Sequence, residues 1–141
     1  MPSFLQAAIV RATPRGLRAR TAPDAFCLIE HACHLRDLER EGYAPRLARM
    51  LEESTPSLAG FEGDVVARSR NYMAQDALAA AREFAALRGR FLERARRLDA
   101  GAMRRTGDFM GRSITVCDLL AMMVEHDAGH RREIAQLVAA R

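Results

Sequence analysis

The sequence has 141 residues and contains no lysine and no tryptophan, so all 22 of its basic residues are arginines. Without lysine, the chain cannot form a Schiff base, attach pyridoxal phosphate or build a phosphate-binding loop of the kind that needs this residue. Long apolar runs are also missing. The longest, Leu119 to Val124, is far shorter than the roughly 20 residues that cross a bilayer. The sequence therefore predicts neither these lysine-dependent enzymes nor a membrane protein.

Cysteine is scarce, and the three residues present, Cys27, Cys33 and Cys117, include no CxxC pair. The odd number and the lack of a recognisable export signal at the N-terminus favour free thiols in a reducing compartment. We therefore expect a cytoplasmic protein with no disulfide.

The net charge of +4 would suit a nucleic-acid-binding protein, but the arginines are scattered among acidic residues. Phosphate backbones are bound by clustered cations, and no run of arginines here is longer than two. We therefore expect no nucleic-acid partner, and we interpret the charged residues as solvated helix surfaces.

Apolar residues recur at helical spacing between joints rich in proline and glycine, and this pattern predicts four helices in a single domain, residues 1–141. The expected ranges are residues 3–13, 24–53, 65–98 and 115–139. Four helices with one apolar face each bury those faces best as a bundle. The sequence therefore predicts an all-α four-helix bundle with little or no strand.

Several residues are expected to shape the ends and bends of these helices. Asp24 and Asp64 are candidate N-caps of the second and third helices, and Thr115 with Asp118 resembles a capping box for the fourth. Gly42 and Pro45 are expected to kink the second helix, because proline lacks a backbone donor. The segments 15–23, 54–63 and 101–112 are predicted connectors.

All four histidines lie on two of the predicted helices. His126 and His130 are four residues apart on the core-facing side of the fourth helix, where both imidazoles can reach one ion. His34 on the second helix offers a third ligand, and three histidines would leave coordination positions open for water or substrate. His31 could add to this set or replace a member of it. The alternative is a group of hydrogen-bonded core or surface histidines.

Other polar residues near these histidines have more than one interpretation. Glu30, Asp37, Glu125 and Asp127 are expected to support the ligands or to be solvated acids. Cys33 and Cys117 could act near the site, although buried cysteines are more often inert packing residues.

Four segments of the sequence resemble the DinB-like superfamily of bacterial four-helix-bundle metalloproteins. They are Phe26–Glu39, Pro56–Leu58, Ile114–Leu120 and Glu125–His130. The resemblance spans nearly the whole chain and implies one divalent ion bound by His34, His126 and His130. Phe26 stands where the family usually has tryptophan, and His31 is an additional histidine, which leaves the ligand set open.

The resemblance implies a metalloenzyme, and superfamily members include thiol-dependent S-transferases and isomerases. We expect Zn or Ni, with Fe as a further candidate, to activate a water or thiol for thiol transfer or hydrolysis. The expected partners are a small-molecule substrate, such as a low-molecular-weight thiol, and a second copy of the chain in a homodimer. The alternative is a non-catalytic dimeric metal-binding or stress-response protein in which the ion only joins two helices.

Overall fold

The computed structural model describes residues 1–139 and consists mainly of helices. The eight α-helices are α1 (Pro2–Val10), α2 (Pro14–Arg18), α3 (Leu28–Leu38), α4 (Ala44–Glu52), α5 (Gly63–Ser69), α6 (Ala77–Ala95), α7 (Ala100–Met103) and α8 (Val116–Ala139). The bundle is formed by α1, by α3 continued into α4, by α6 and by α8. The predicted four-helix bundle is therefore confirmed.

The structure also contains one small sheet, in agreement with the expectation of little strand. It consists of β1 (Ser57–Leu58), β2 (Thr106–Phe109) and β3 (Arg112–Thr115), with β2 in the centre. The β1 strand pairs with β2 in parallel, and β2 pairs with β3 as an antiparallel hairpin. The hairpin turns at Met110 and Gly111, which both have positive φ, 54° and 78°. A two-residue loop with this geometry fits the twist of paired strands.

The second predicted helix begins later than expected. Asp24 lies in a turn and does not cap it, because α3 begins at Leu28. The Cys27 backbone N–H donates to the Glu30 carboxylate over 2.9 Å. Glu30, three residues after Cys27, therefore caps the helix in place of Asp24. Arg20 in turn forms an ion pair with Glu30 and fixes the preceding loop.

Near Pro45, the chain stays helical, but its backbone hydrogen bonds change from the α-helical to the π-helical pattern. A π-helical turn, Glu39–Tyr43, connects α3 to α4. The Ala44 N–H bonds the Glu39 carbonyl, one residue further back than in an α-helix. We expected Gly42 and Pro45 to kink this helix. Gly42 lies within the π-turn, and Pro45 is the second residue of α4, which follows it.

The third predicted helix is not continuous. It is broken after α5 by Asn71, whose φ of 46° is left-handed, and by a 3₁₀ turn, Tyr72–Ala74. The buried Tyr72 hydroxyl donates to Asp37 over 2.8 Å, and Arg70 contacts the same carboxylate. Asp64 is not the cap, since α5 already begins at Gly63. The long-range contacts to Asp37 therefore override the helical preference of this stretch.

The remaining helix ends agree more closely with the sequence. The capping box of α8 is confirmed, because the Thr115 N–H donates to Asp118 and the Asp118 N–H donates to the Thr115 hydroxyl. All three predicted connectors contain short elements, namely α2 in the first, β1 in the second and α7 with the hairpin in the last.

The core consists of two apolar clusters along the bundle. The first joins α1, α3, α6 and the C-terminal part of α8, and it includes Leu5, Leu35, Phe84 and Ile134. The second joins α4, the C-terminal part of α6, the sheet and the N-terminal part of α8, and it includes Leu47, Phe91, Leu119 and Met123. On α8, His126 and His130 lie between Met123 of one cluster and Ile134 of the other. Polar side chains thus enter the bundle between its two apolar clusters.

Candidate metal centre

The four histidines project towards one another from two helices. His31 and His34 come from α3, and His126 and His130 come from α8. Spacings of three and four residues place each pair on one face of its helix, and those faces meet. Both α3 histidines are almost completely buried, with 1% of His31 and 7% of His34 exposed.

Three imidazole nitrogens converge on one point. His126 Nε2 lies 3.3 Å from His34 Nε2 and 3.0 Å from His130 Nε2. The ligand atoms of these three residues all lie within 4.8 Å of one another. The structure therefore brings together the three histidines that the sequence predicted as ligands.

His31 lies on the other side of His130. Its Nδ1 is 2.9 Å from His130 Nδ1, so the two nitrogens of His130 face different neighbours. Glu133 joins this second group, with Oε2 3.3 Å from His130 Nδ1 and 3.8 Å from His31 Nε2. Glu133 was not among the residues predicted from the sequence, although its position three residues after His130 on the same helix indicates that the two side chains can meet.

Aromatic rings and a glycine enclose His34. Phe26 and Phe61 contact its ring, with centroid distances of 5.4 and 5.7 Å. A Cβ atom at Gly63 would lie 2.7 Å from His34 Cε1, closer than such atoms approach. The absent side chain at Gly63 is thus what allows α5 to pack against the imidazole.

Burial lowers the pKa of every histidine in the group. The pKa falls to about 3 for His31 and His34 and to about 4 for His126 and His130, mainly because of burial. The charge of neighbouring histidines lowers the pKa of His31, His34 and His126 further. All four rings are therefore neutral near pH 7, the form that coordinates metals.

The histidines line an open cleft of about 560 Å³. Four carboxylates share its wall: Asp24, Glu62, Asp64 and Glu133. No arginine is among the described residues that line it. The cleft is therefore accessible from solvent and has an acidic wall.

The other predicted acids have different roles. Glu30 caps α3, and Glu125 is exposed and lies outside the cleft. Asp37 is buried in a separate network with Arg36, Arg70 and Tyr72. Burial by itself would raise the Asp37 pKa, but the hydrogen bonds from these partners outweigh it and lower the pKa.

Asp127 takes part in a buried ion-pair network that the sequence analysis missed. Arg88 on α6, which is only 4% exposed, contacts Asp127 and also forms an ion pair with the buried Glu39 at 2.8 Å. Arg88 lies four residues after Phe84 and so on the apolar face of α6. A charged residue on that face was the feature of the sequence that could have indicated a buried ion pair. The network anchors the residue next to His126.

None of the three cysteines lines the cleft. Cys27 and Cys33 are buried, and burial raises the pKa of both thiols, that of Cys33 to about 11. Cys117 is exposed at the start of α8. All three are free, and the structure does not bring Cys33 or Cys117 to the histidines.

Comparison with known families agrees with the resemblance seen in the sequence. A sequence profile of the DinB superfamily matches residues 2–134, which is nearly the whole chain. The chain belongs to the DinB superfamily. The DinB-superfamily assignment agrees with the residues on α3 and α8 from which the resemblance was first drawn.

A solved structure shares the fold of this DinB-superfamily chain. YfiT from Bacillus subtilis matches with a TM-score of 0.91 at 20% sequence identity, covering 99% of this chain and 80% of that one. YfiT is described as a probable metal-dependent hydrolase with an unusual four-helix bundle topology. A comparison with curated protein sequences finds no match. Within residues 1–139, no helix is both long and apolar enough to cross a membrane.

The donor atoms fit a divalent transition metal. A ring nitrogen carries either one hydrogen or one lone pair, so His126 Nε2 cannot satisfy both neighbouring Nε2 atoms by hydrogen bonding. A shared cation would use all three lone pairs. For metal–nitrogen bonds of about 2.0–2.1 Å, tetrahedral ligands lie about 3.3 Å apart, close to the spacings of 3.0 and 3.3 Å found here.

Proposed function

We propose that this protein is a divalent-metal-dependent enzyme in which His34, His126 and His130 hold one ion at the base of the cleft. The observation that carries the proposal is the convergence of their three Nε2 atoms at an open cleft. Zn and Ni suit a set of neutral imidazoles best, and Fe also accepts them. The description of YfiT as a probable metal-dependent hydrolase supports an ion in this fold.

A bound ion would supply an activated nucleophile, because it lowers the pKa of a coordinated water or thiol towards neutrality. The chain's own residues hold the ligands in place. Phe26 and Phe61 pack against His34 and keep water from that side of the ring. Glu133 lies within reach of His130 Nδ1, where its carboxylate can accept the ring hydrogen and fix the tautomer.

The reaction that we propose is hydrolysis or thiol transfer. A water as nucleophile gives hydrolysis, and a low-molecular-weight thiol gives transfer of the substrate group to sulfur. The acidic wall of the cleft disfavours substrates with a net negative charge, since Asp24, Glu62 and Asp64 would repel them. We therefore propose neutral or cationic small molecules as substrates.

The alternative is a non-catalytic protein in which the ion only ties α3 to α8. A structural site is usually closed by four protein ligands, whereas three histidines leave a position for an exogenous group. The openness of the cleft thus favours the enzyme.

Untagged protein should be compared with and without Zn or Ni in hydrolase and thiol-transfer assays. We expect turnover only with the metal, and added thiols should raise the melting temperature of the loaded protein only. Metal binding without turnover or thiol-dependent stabilisation would favour the structural role. Failure to bind either metal would overturn the proposal.

We also propose that the protein forms a two-fold dimer in the cytoplasm. The outer face of α8 carries Val124, Ala128 and Ala135 at spacings of four and seven residues, with the exposed Arg131 between the two alanines. Val124 is 63% exposed. In an antiparallel pair, Glu125 of one copy would face Arg132 of the other, so the charges beside this face complement each other. The three free thiols suit a reducing compartment.

A further inference from the structure

We propose a second divalent-cation site, formed by His31, His130 and Glu133, in which His130 bridges the two ions. The inference rests on the proposed metal centre, because the first ion would occupy the opposite nitrogen of the same ring. It assigns a role to His31, whose place in the ligand set the sequence left open.

The geometry of this second group resembles that of the first. His31 Nδ1 lies 2.9 Å from His130 Nδ1, and Glu133 Oε2 lies 3.3 Å from the same atom. One ligand atom from each of the three residues lies within 4.8 Å of the other two. Two imidazoles and one carboxylate form a common donor set for Zn and Fe.

The two nitrogens of His130 belong to different groups. Nε2 faces His126 at 3.0 Å, whereas Nδ1 faces His31 and Glu133. The ring therefore connects the two positions.

The burial and charge of the surroundings also suit a second cation. His31 is 1% exposed and so is already desolvated and positioned, which reduces the cost of ordering it around an ion. Glu133 reaches the group from the cleft wall, which it shares with three further carboxylates. These negative charges offset part of the repulsion between two nearby cations.

Protons must balance when both ions bind. With one ion on Nε2, His130 is neutral and carries its hydrogen on Nδ1. An ion on Nδ1 replaces that hydrogen, which leaves as a proton to solvent, and no electron is transferred. The second ion therefore binds more weakly than the first, because it must displace this proton.

The test is a metal count on untagged, metal-free protein titrated with Zn²⁺ in competition with a chromophoric chelator. We expect two ions per wild-type chain, the second at least tenfold weaker. Glu133→Gln and His31→Ala should each bind one ion. Because Glu133 is exposed, its substitution should leave folding intact even if that of His31 does not. Glu125→Gln is the matched control, since Glu125 is an exposed acid of the same helix outside the cleft, and it should still bind two.

A second measurement tests the shared ring. Two Cu²⁺ ions bridged by one imidazole ring couple magnetically, so the paramagnetic resonance signal per copper should be at least twofold smaller in wild type than in Glu133→Gln. One Zn²⁺ per chain in wild type as well as in Glu133→Gln would overturn the second site while leaving the first intact. Two ions in Glu133→Gln and in His31→Ala would overturn the assignment of His31 and Glu133 as ligands. No bound ion in any protein would instead contradict the proposed function itself.

Discussion

The guanidinium of Arg88 contacts the carboxylate of Asp127, the residue that follows His126 on α8. Arg88 comes from α6 and also pairs with Glu39 in the π-turn. One buried arginine thus links three segments of the bundle beside the candidate metal centre. Such networks are costly to break, because removing one member leaves the other charges buried without a partner.

Replacing Arg88 with alanine should therefore destabilise the protein strongly. We expect a loss of about 3–5 kcal/mol in the free energy of unfolding, because Glu39 and Asp127 would lose the cation that they share. Urea unfolding measures this loss. Arg94→Ala is the control, since Arg94 forms an exposed pair with Glu52, and it should cost no more than about 1 kcal/mol. Equal effects of the two substitutions would contradict the importance of the network.

Alanine in place of His34, His126 or His130 should abolish most of the metal affinity. Each substitution removes one of three ligands, whereas His31→Ala should leave the stronger ion bound with a smaller loss of affinity. Competition with a chelator measures the affinity of each variant. Equal losses for all four histidines would instead make His31 a ligand of the first ion.

Gly63→Ala should weaken metal binding without any change in the ligands. The new Cβ would lie 2.7 Å from His34 Cε1, so either the ring or α5 must move. We expect at least a tenfold loss of affinity, in the range found when supporting residues of a metal site are removed. Gly89→Ala is the matched control, because a Cβ at Gly89 in α6 meets no atom within 4 Å. That control should keep the affinity and stabilise the helix by about 0.5–1 kcal/mol.

Metal retention should persist below the pH at which free histidine becomes protonated. In the folded chain the pKa is lowered to about 3 for His34 and to about 4 for His126 and His130, so protons compete with the ion only in that range. We expect metal and activity to be retained at pH 6 and to be lost together as the pH falls towards 4. Dialysis followed by metal analysis and an activity assay checks this. Loss centred near pH 6.5 would contradict the proposed burial effect.

The metal-free protein should become less stable as the pH falls from about 6.5 towards 4. The folded pKa values of His31 and His34 lie below the unfolded value of about 6.5, so between these limits the unfolded chain binds more protons. Stability is therefore complete above pH 6.5 and decreases as the pH falls towards 4. Urea unfolding at several pH values should show this slope, and it should be shallower in His31→Ala.

Self-association should depend on the outer face of α8. Val124→Glu places a charge on this face and should shift a concentration-dependent dimer to monomer, as measured by light scattering. Val10→Glu is the control, because Val10 is 68% exposed on α1 and lines a cleft with residues of α2 and α6. A wild-type protein with a mass of 15.7 kDa at all concentrations would contradict the proposed dimer.

The sequence alone determined the four-helix bundle and the histidines that can approach one another. Apolar periodicity defines which face of each helix is buried, and His126 and His130 follow that periodicity on α8. The Thr115–Asp118 capping box is equally local, since its two residues are three apart and bond each other. Such features depend on short-range geometry, so they can be predicted without the fold.

Only the tertiary structure decided the features that depend on distant contacts. The break after α5 requires Tyr72 to reach Asp37, 35 residues away. The sheet requires β1 to pair with β2, although α5, α6 and α7 lie between the two strands in the chain. The position of His31 against the second nitrogen of His130 depends on how α3 and α8 face each other. Helical spacing fixes neighbours within one helix, whereas the rotation of one helix against another is set by the packing of the whole core.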